Sequence, residues 1–146
     1  MIIIADSREK DPYTFGDIPT VRDKLEVGDY SISGLESCVA IERKNLDDFV
    51  ATVIRGKDRF HNELVILARM EFAAIVVEAS LTDILEKRYA GHVNPLSVIG
   101  AAVAIMVEYR VPIMFCGNRQ AACHVTRSIL KRLYDKRRAP KGAKDG

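Results

Sequence analysis

Charge begins abruptly at the end of one apolar stretch, Val39-Ala40-Ile41-Glu42-Arg43-Lys44, and this feature constrains the chain more than any other. The stretch reads as a strand running out of a buried core. Successive side chains of a strand point to opposite faces, so Glu42 and Lys44 share a face, about 7 Å apart, and Arg43 takes the other. Three charges at that place either leave the sheet or line a site. Upstream, Gly28-Asp29-Tyr30 opens a neighbouring strand; downstream, Asp48 falls in the first turn of a helix. Singly, these pieces have ordinary explanations. Asp after Gly is commonly a turn residue, a charged triplet is commonly a solvated run, and an acid in a first turn favours the helix dipole. Together they permit specific chemistry. Asp29 and Glu42 can grip a hard divalent cation such as Mg²⁺. A cation held there lowers the pKa of a bound water and stabilises a phosphorane-like transition state, while Lys44 orients the water or neutralises charge. That combination is the logic of a metal-dependent phosphodiesterase.

The rest of the chain bounds that reading. At 146 residues, 48% hydrophobic and 29% charged, one ordinary globular domain with a proper core is expected. The longest near-apolar stretch, Leu96 to Val107, is too short to span a bilayer. The N-terminus lacks the basic region and cleavage site of a signal peptide. Cys38, Cys116 and Cys123 have no Cys-x-x-Cys spacing, and His61, His92 and His124 are scattered, so neither a disulfide framework nor a zinc site is indicated. A soluble intracellular protein is expected, in cytoplasm or nucleoid, or in the host cytoplasm if phage-encoded. The net charge of +2 hides an asymmetry: Arg127 to Gly146 holds eight Lys and Arg against two Asp, leaving −4 on residues 1–126. A basic C-terminal arm on a mildly acidic body fits either a polyanion partner or a solubilising last helix.

Periodicity and punctuation give the elements. Met1–Ala5 reads as a buried strand, residues 10–20 as irregular, and Thr20–Leu25 as a short helix. Gly28–Ser33 and Cys38–Lys44 pair as a hairpin. A helix starts at Leu46 and ends at a Gly56 cap; a second runs from Arg59 to Arg69. Phe72–Ala79 is a doubly buried strand, and Ser80 caps a helix over Leu81–Tyr89. Pro95–Tyr109 is a helix apolar around nearly its whole circumference, hence buried on more than one side. Val111–Cys116 is a final buried strand. Asn118 caps a last helix, and the domain is bounded at 1–135, with 136–146 a basic, disordered tail. Strands alternating with helices after an initial hairpin make an α/β sandwich around a mixed sheet.

These residues, taken in order, resemble the XPF family of structure-specific endonucleases. Gly28-Asp29, Glu42-Arg43-Lys44 and Asp48 match its signature. Asp6-Ser7-Arg8-Glu9 is similar to its opening acidic turn, and Gly56-Lys57-Asp58-Arg59-Phe60 to its Arg-containing segment. Asn94-Pro95, Gly100-Ala101-Ala102 and Val111-Pro112-Ile113 resemble its later helix and strand. The resemblance runs from about residue 2 to about residue 132. It implies a three-layer α/β/α restriction-endonuclease-like core and Mg²⁺- or Mn²⁺-dependent hydrolysis of branched, flap or junction DNA, in repair, recombination or mobile-element processing. No small-molecule cofactor is implied. The family's helix-hairpin-helix and helicase modules have no counterpart here. The alternative is a catalytically inactive scaffold of the same fold that binds DNA or dimerises; the presence of Asp29, Glu42 and Lys44 counts against it.

The expected catalytic set is therefore Asp6, Arg8, Glu9, Asp29, Glu42 and Lys44. Asp29 and Glu42 are the primary metal ligands, joined by Asp6 from the end of the first strand. Arg8 is expected at a phosphate, with Glu9 anchoring it. Arg43, Asp48 and Arg59 are placed at the rim or on DNA, although Arg43, on the opposite face, more readily pairs with an acid. Lys136, Arg137 and Arg138 are expected to meet the DNA backbone. A homodimer is expected on the C-terminal helices, through Val98, Ala102, Ile105, Met106, Ile129 and Leu133. One face of the helix from Pro95 cannot hold all its apolar residues, and the family resemblance implies a dimer through the same region.

Overall fold

The computed structural model describes residues 1–139. Six strands form one mixed sheet: β1 (Ile3–Asp6), β2 (Thr20–Asp23), β3 (Tyr30–Ile32), β4 (Val39–Lys44), β5 (Phe72–Val77) and β6 (Ile113–Phe115). Their spatial order is β2-β1-β3-β4-β5-β6. The hairpin partners β3 and β4 are antiparallel, as are β1 and β3; β1 with β2, β4 with β5 and β5 with β6 are parallel. Parallel neighbours need crossovers; helices supply those from β4 to β5 and from β5 to β6, whereas residues 7–19 join β1 to β2 without a helix. The helices are α1 (Leu46–Ile54), α2 (Lys57–Ala68), α3 (Leu81–Leu85), α4 (Pro95–Tyr109) and α5 (Arg119–Arg138).

Strand alternation divides the core into two layers. Ala40, Ile75 and Val77 face Phe49 and Val53 of α1, Leu64 of α2 and Val98 of α4. Their sequence neighbours Ile41, Ala74 and Val76 face Ala122 and Leu130 of α5 together with Ile3 and Tyr30. The result is the expected three-layer α/β/α sandwich, with α5 alone covering one face. Among the described residues, no helix is long and apolar enough to cross a membrane.

Several expected boundaries move. Thr20–Asp23 is the edge strand β2 rather than a helix, because Thr20 and Val21 register beside Ile3 and Ile4. Gly56 is not a left-handed cap of α1, whose C-cap is Arg55; its N–H still donates to Ala51 O at 3.0 Å while it serves as N-cap of α2, so the two helices meet in an elbow. The third helix stops at Leu85 rather than Tyr89, as Lys87 turns to a left-handed φ of 57°. The last strand is only half-buried, with Met114 52% exposed, since β6 is the other edge of the sheet. The last helix continues through Lys136, Arg137 and Arg138; residues 140–146 of the expected tail lie outside the described residues.

One glycine is required by the site. Gly28 has φ 81°, and a Cβ there would meet the Ala40 Cβ at 3.0 Å. An L side chain is disfavoured on both counts. This tight turn sets the next residue, Asp29, between two strands: its N–H donates to Ile41 O (2.8 Å), and its carbonyl accepts from Asp6 N–H (2.8 Å).

Candidate active site

The site lies where β4 leaves the sheet. Asp29 is fixed by its main chain and by a third bond: its Oδ2 accepts the backbone N–H of Arg43 at 2.7 Å. Glu42 is 7% exposed. Lys44 Nζ stands 3.7 Å from Glu42 Oε1 and over the ring of Phe60, 5.7 Å from its centroid. The strand thus presents Glu42 and Lys44 on one face and brings them beside Asp29.

The electrostatics of the pair are unfavourable without a cation. Burial pushes the Asp29 carboxyl up to about 6, against the opposing pull of the Arg43 N–H. Burial and the charge of Asp29 push Glu42 well above the usual carboxylate range, only partly offset by Lys44. Two adjacent acids, both raised first by burial and one of them also by the charge of the other, make a receptive place for positive charge. A small hard cation that keeps most of its waters needs only one or two carboxylates, and all-oxygen donors select that class. The residues present fit Mg²⁺ or Mn²⁺.

Asp6 ends β1. Its Oδ2 accepts Arg8 Nε at 2.9 Å, and its Oδ1 accepts Leu25 N–H at 2.9 Å and Arg8 Nη2 at 3.3 Å. Burial alone would raise its pKa, but Arg8 and the Leu25 N–H outweigh burial and hold it below the ordinary value. Both oxygens accept hydrogen bonds, so Asp6 ties the 6–8 turn to Leu25. Among the described residues, no group of three or more His, Cys, Asp and Glu converges to hold a metal. Arg8 is engaged by Asp6, with its side chain 60% exposed. Glu9 does not anchor Arg8; its Oε2 accepts from Tyr30 Oη at 3.1 Å and lies 3.5 Å from Arg43.

Arg43 is not at the rim. Its side chain leaves by the face opposite Glu42 and binds Glu78 through two parallel contacts of 2.8 and 3.1 Å. Asp48 sits exposed on the first turn of α1, where Asn45 rather than Asp48 is the cap. Arg59 is exposed beside the site and shares a cleft of about 690 Å³ with Lys44, Phe60, Arg55 and Glu63. Arg55 and Glu63 were not picked out as cleft residues from sequence; Glu63 adds a third negative charge that raises the Glu42 pKa.

Two other expected groups are displaced. Arg137 pairs with Glu71 at 2.6 Å, just before the start of β5. Lys44 registers with Val77 at the other end of that strand. Six residues separate the basic turn from the site by roughly 16 Å of strand rise, so the structure does not bring Lys136, Arg137 and Arg138 to the catalytic end. On α4, Val98, Ala102 and Ile105 are 0–6% exposed in the chain's own core and cannot face a second subunit. The outward large apolar residues of α4 are Leu96, Val103, Met106 and Val107. Ile129 and Leu133 lie on the opposite face of the sheet from α4, where they line an apolar groove of about 480 Å³ with Met114 and Phe72.

A mixed sheet ending in a buried carboxylate pair and a lysine defines a restriction-endonuclease-like nuclease core. Comparison with known proteins agrees. The ERCC4 domain matches residues 5–129. The solved structure of XPF from Aeropyrum pernix superposes with a TM-score of 0.71 at 23% identity, covering 94% of this chain and 69% of that one. The structure of the same Aeropyrum pernix protein in complex with DNA gives 0.70 at 22% identity, covering 97% and 68%. No curated protein sequence matches the chain. The chain belongs to the ERCC4-domain family, as an XPF-type nuclease domain.

Proposed function

We propose that this chain is a metal-dependent endonuclease that hydrolyses phosphodiester bonds in branched, flap or junction DNA. The observation that carries the reading is the buried Asp29–Glu42 pair with Lys44 3.7 Å from Glu42. Asp29 and Glu42 would hold Mg²⁺ or Mn²⁺, which supplies a water of lowered pKa and a counter-charge for the phosphorane-like transition state. Asp29 is aimed by the Arg43 N–H, and Glu42 is set by the strand. Lys44, over the Phe60 ring, keeps an ammonium at the cleft mouth, where it balances charge that develops on phosphate oxygens. Arg55 and Arg59 on the elbow between α1 and α2 present two exposed cations along the same cleft, suited to the DNA backbone rather than to base edges. The family's likeness to a protein solved with DNA supports the substrate class. The inactive-scaffold reading is not favoured, since the acidic pair and lysine stand together.

Purified protein should cut at least one of flap, fork, three-way or four-way junction faster than linear duplex, in Mg²⁺ or Mn²⁺ and not in EDTA. Full activity in EDTA, or no cleavage of any substrate by folded protein, overturns the proposal. Replacing Arg55 and Arg59 together with Ala should shallow the slope of log K against log[salt] for DNA binding by about 2, near 0.9 per lost phosphate contact. An unchanged slope would remove the elbow from the DNA path.

We also propose a homodimer at the β6 edge, where Met114, Ile129 and Leu133 form the apolar groove and Met114 is 52% exposed. Unpaired strand edges and contiguous apolar surface are ordinarily covered. Light scattering at micromolar concentration should give twice the 16.3 kDa chain mass. Met114→Lys should return the mass to that of one chain; a wild-type mass near 16.3 kDa at all concentrations rules the dimer out.

A further inference from the structure

Arg43 sits between the two side chains of the site, yet its guanidinium points away from them. What holds it there is a connected set of buried and half-buried groups behind the sheet. Glu78, the first residue after β5, receives Arg43 Nε and Nη2 at 2.8 and 3.1 Å. It also accepts the Tyr13 hydroxyl at 2.5 Å and lies 3.8 Å from Arg119 of α5. Its own backbone N–H donates to Lys44 O at 2.9 Å. One residue therefore grips the end of β4 twice, by main chain at Lys44 and by side chain at Arg43. Tyr13 lies under both Arg43 and Arg119, 5.4 and 4.8 Å from its ring centroid, and stacks on Tyr30 at 5.1 Å. The Tyr30 hydroxyl accepts from Tyr13 N–H at 2.8 Å. Tyr30 adjoins Asp29, so the set closes on the residue it began beside.

We propose that Glu78, supported by Tyr13 and Arg119, is a positioning residue: it fixes Arg43 from behind so that the Arg43 N–H aims the Asp29 carboxylate and keeps it paired with Glu42. This rests on the reading of Asp29 and Glu42 as a divalent-cation site. Stability alone is a poor reason for such a set, because buried ion pairs are commonly replaceable by apolar residues at no cost. Geometry is a better one. A two-point Arg–carboxylate contact fixes orientation as well as distance, and the aimed group is the peptide N–H of the same arginine. Burial and Glu78 both hold the Tyr13 hydroxyl in its protonated, donating form. A tilt of the β4 end would move Glu42 and Lys44 on one face and the Arg43 N–H at its edge, and metal ligation is sensitive to such outer contacts by about 10–100-fold.

The test is calorimetric titration of DNA-free protein with Mn²⁺, alongside cleavage rates over a Mn²⁺ series. Glu78→Gln should weaken Mn²⁺ binding about tenfold and raise the half-saturating Mn²⁺ for cleavage by the same factor, with a smaller fall in rate at saturating metal. Arg43→Lys should do likewise, and the double variant should lose no more than the worse single one, because both remove one interaction. Tyr13→Phe deletes a single hydroxyl and should shift Mn²⁺ binding about threefold in the same direction, which serves if Glu78→Gln does not fold. Unchanged Mn²⁺ binding in folded Glu78→Gln or Tyr13→Phe overturns the proposal, as do additive losses in the double variant. Wild-type protein that neither binds Mn²⁺ nor cuts DNA would overturn the nuclease reading itself, a different and distinguishable result.

Discussion

Glu42→Gln is expected to reduce cleavage by at least about 100-fold while raising the melting temperature of the metal-free protein. The first part follows from losing a major electrostatic element of the reaction. The second follows from the strain of the pair. Burial and Asp29 together make the ionised form of Glu42 costly in the folded state. Asp29 is raised as well, mainly by its own burial, from 3.8 to about 6. The sign is that of a raised acid. The folded state binds the proton more tightly than the unfolded chain, so this part of the stability is full at low pH. It is lost as pH climbs from about 4 to about 6, and above that the folded state carries the whole repulsion. For Asp29 the difference is on the order of 3 kcal/mol at most. Neutralising Glu42 removes its share of that cost, so the melting temperature at pH 7.5 in EDTA should rise by about 5 °C or more. Mn²⁺ should raise the wild-type melting temperature and leave the variant's unchanged. Because the cation displaces protons, the half-saturating metal concentration for wild type should climb as pH falls below about 6. A lower melting temperature for Glu42→Gln in EDTA, or cleavage within tenfold of wild type, would show that the pair is not the strained cation site described.

What the sequence disclosed and what it hid divide along the range of the interactions. The strand Val39–Lys44 was legible because apolar residues change to charge within one residue, a local signal. The helix from Arg119 was legible from Asn118, whose side chain does accept the expected cap hydrogen bond, and the helix from Pro95 from its apolar run, while its Asn94 cap was passed over. β2 was not, because four mostly exposed residues at a sheet edge carry no alternation, and their strand character comes from Ile3 and Ile4 across the register. The clamp made by Asp6 was hidden for a similar reason: its carboxylate accepts the N–H of Leu25, 19 positions away. On α4, residues apolar all round left no way to tell the inward Val98, Ala102 and Ile105 from the outward Val103 and Val107. Glu78 had a usable signal that was passed over. It follows the apolar Phe72–Val77 just as Glu42 follows Val39–Ile41, and as the residue after Val77, the register partner of Lys44, it stands beside the end of β4, where it binds the Arg43 guanidinium.

Lys44→Met is expected to stop turnover, by at least about 100-fold, and to leave divalent-cation affinity the same or slightly higher. An ammonium does not ligate a cation, and at 3.7 Å from Glu42 Oε1 it competes with one for the carboxylate's charge. Its position argues for a role in the transition state. The chain on which it is carried lies on the Phe60 ring, and the side chain is only 20% exposed. The charge is therefore held in place beside the cleft rather than free to sample solvent, so no reorganisation is needed when negative charge grows on the phosphate. Methionine keeps the apolar stem over Phe60 and removes only the charge, which separates packing from electrostatics. Arginine at this position restores charge but not shape: the planar fork is longer and cannot occupy the point between Glu42 and the ring, so Lys44→Arg should recover little activity. Calorimetric Mn²⁺ titration together with single-turnover cleavage checks both halves. Wild-type rates for Lys44→Met would mean that the lysine is only a counter-charge for Glu42. A tenfold loss of Mn²⁺ affinity with an unchanged saturated rate would place its effect on the ground state instead of on the reacting phosphate.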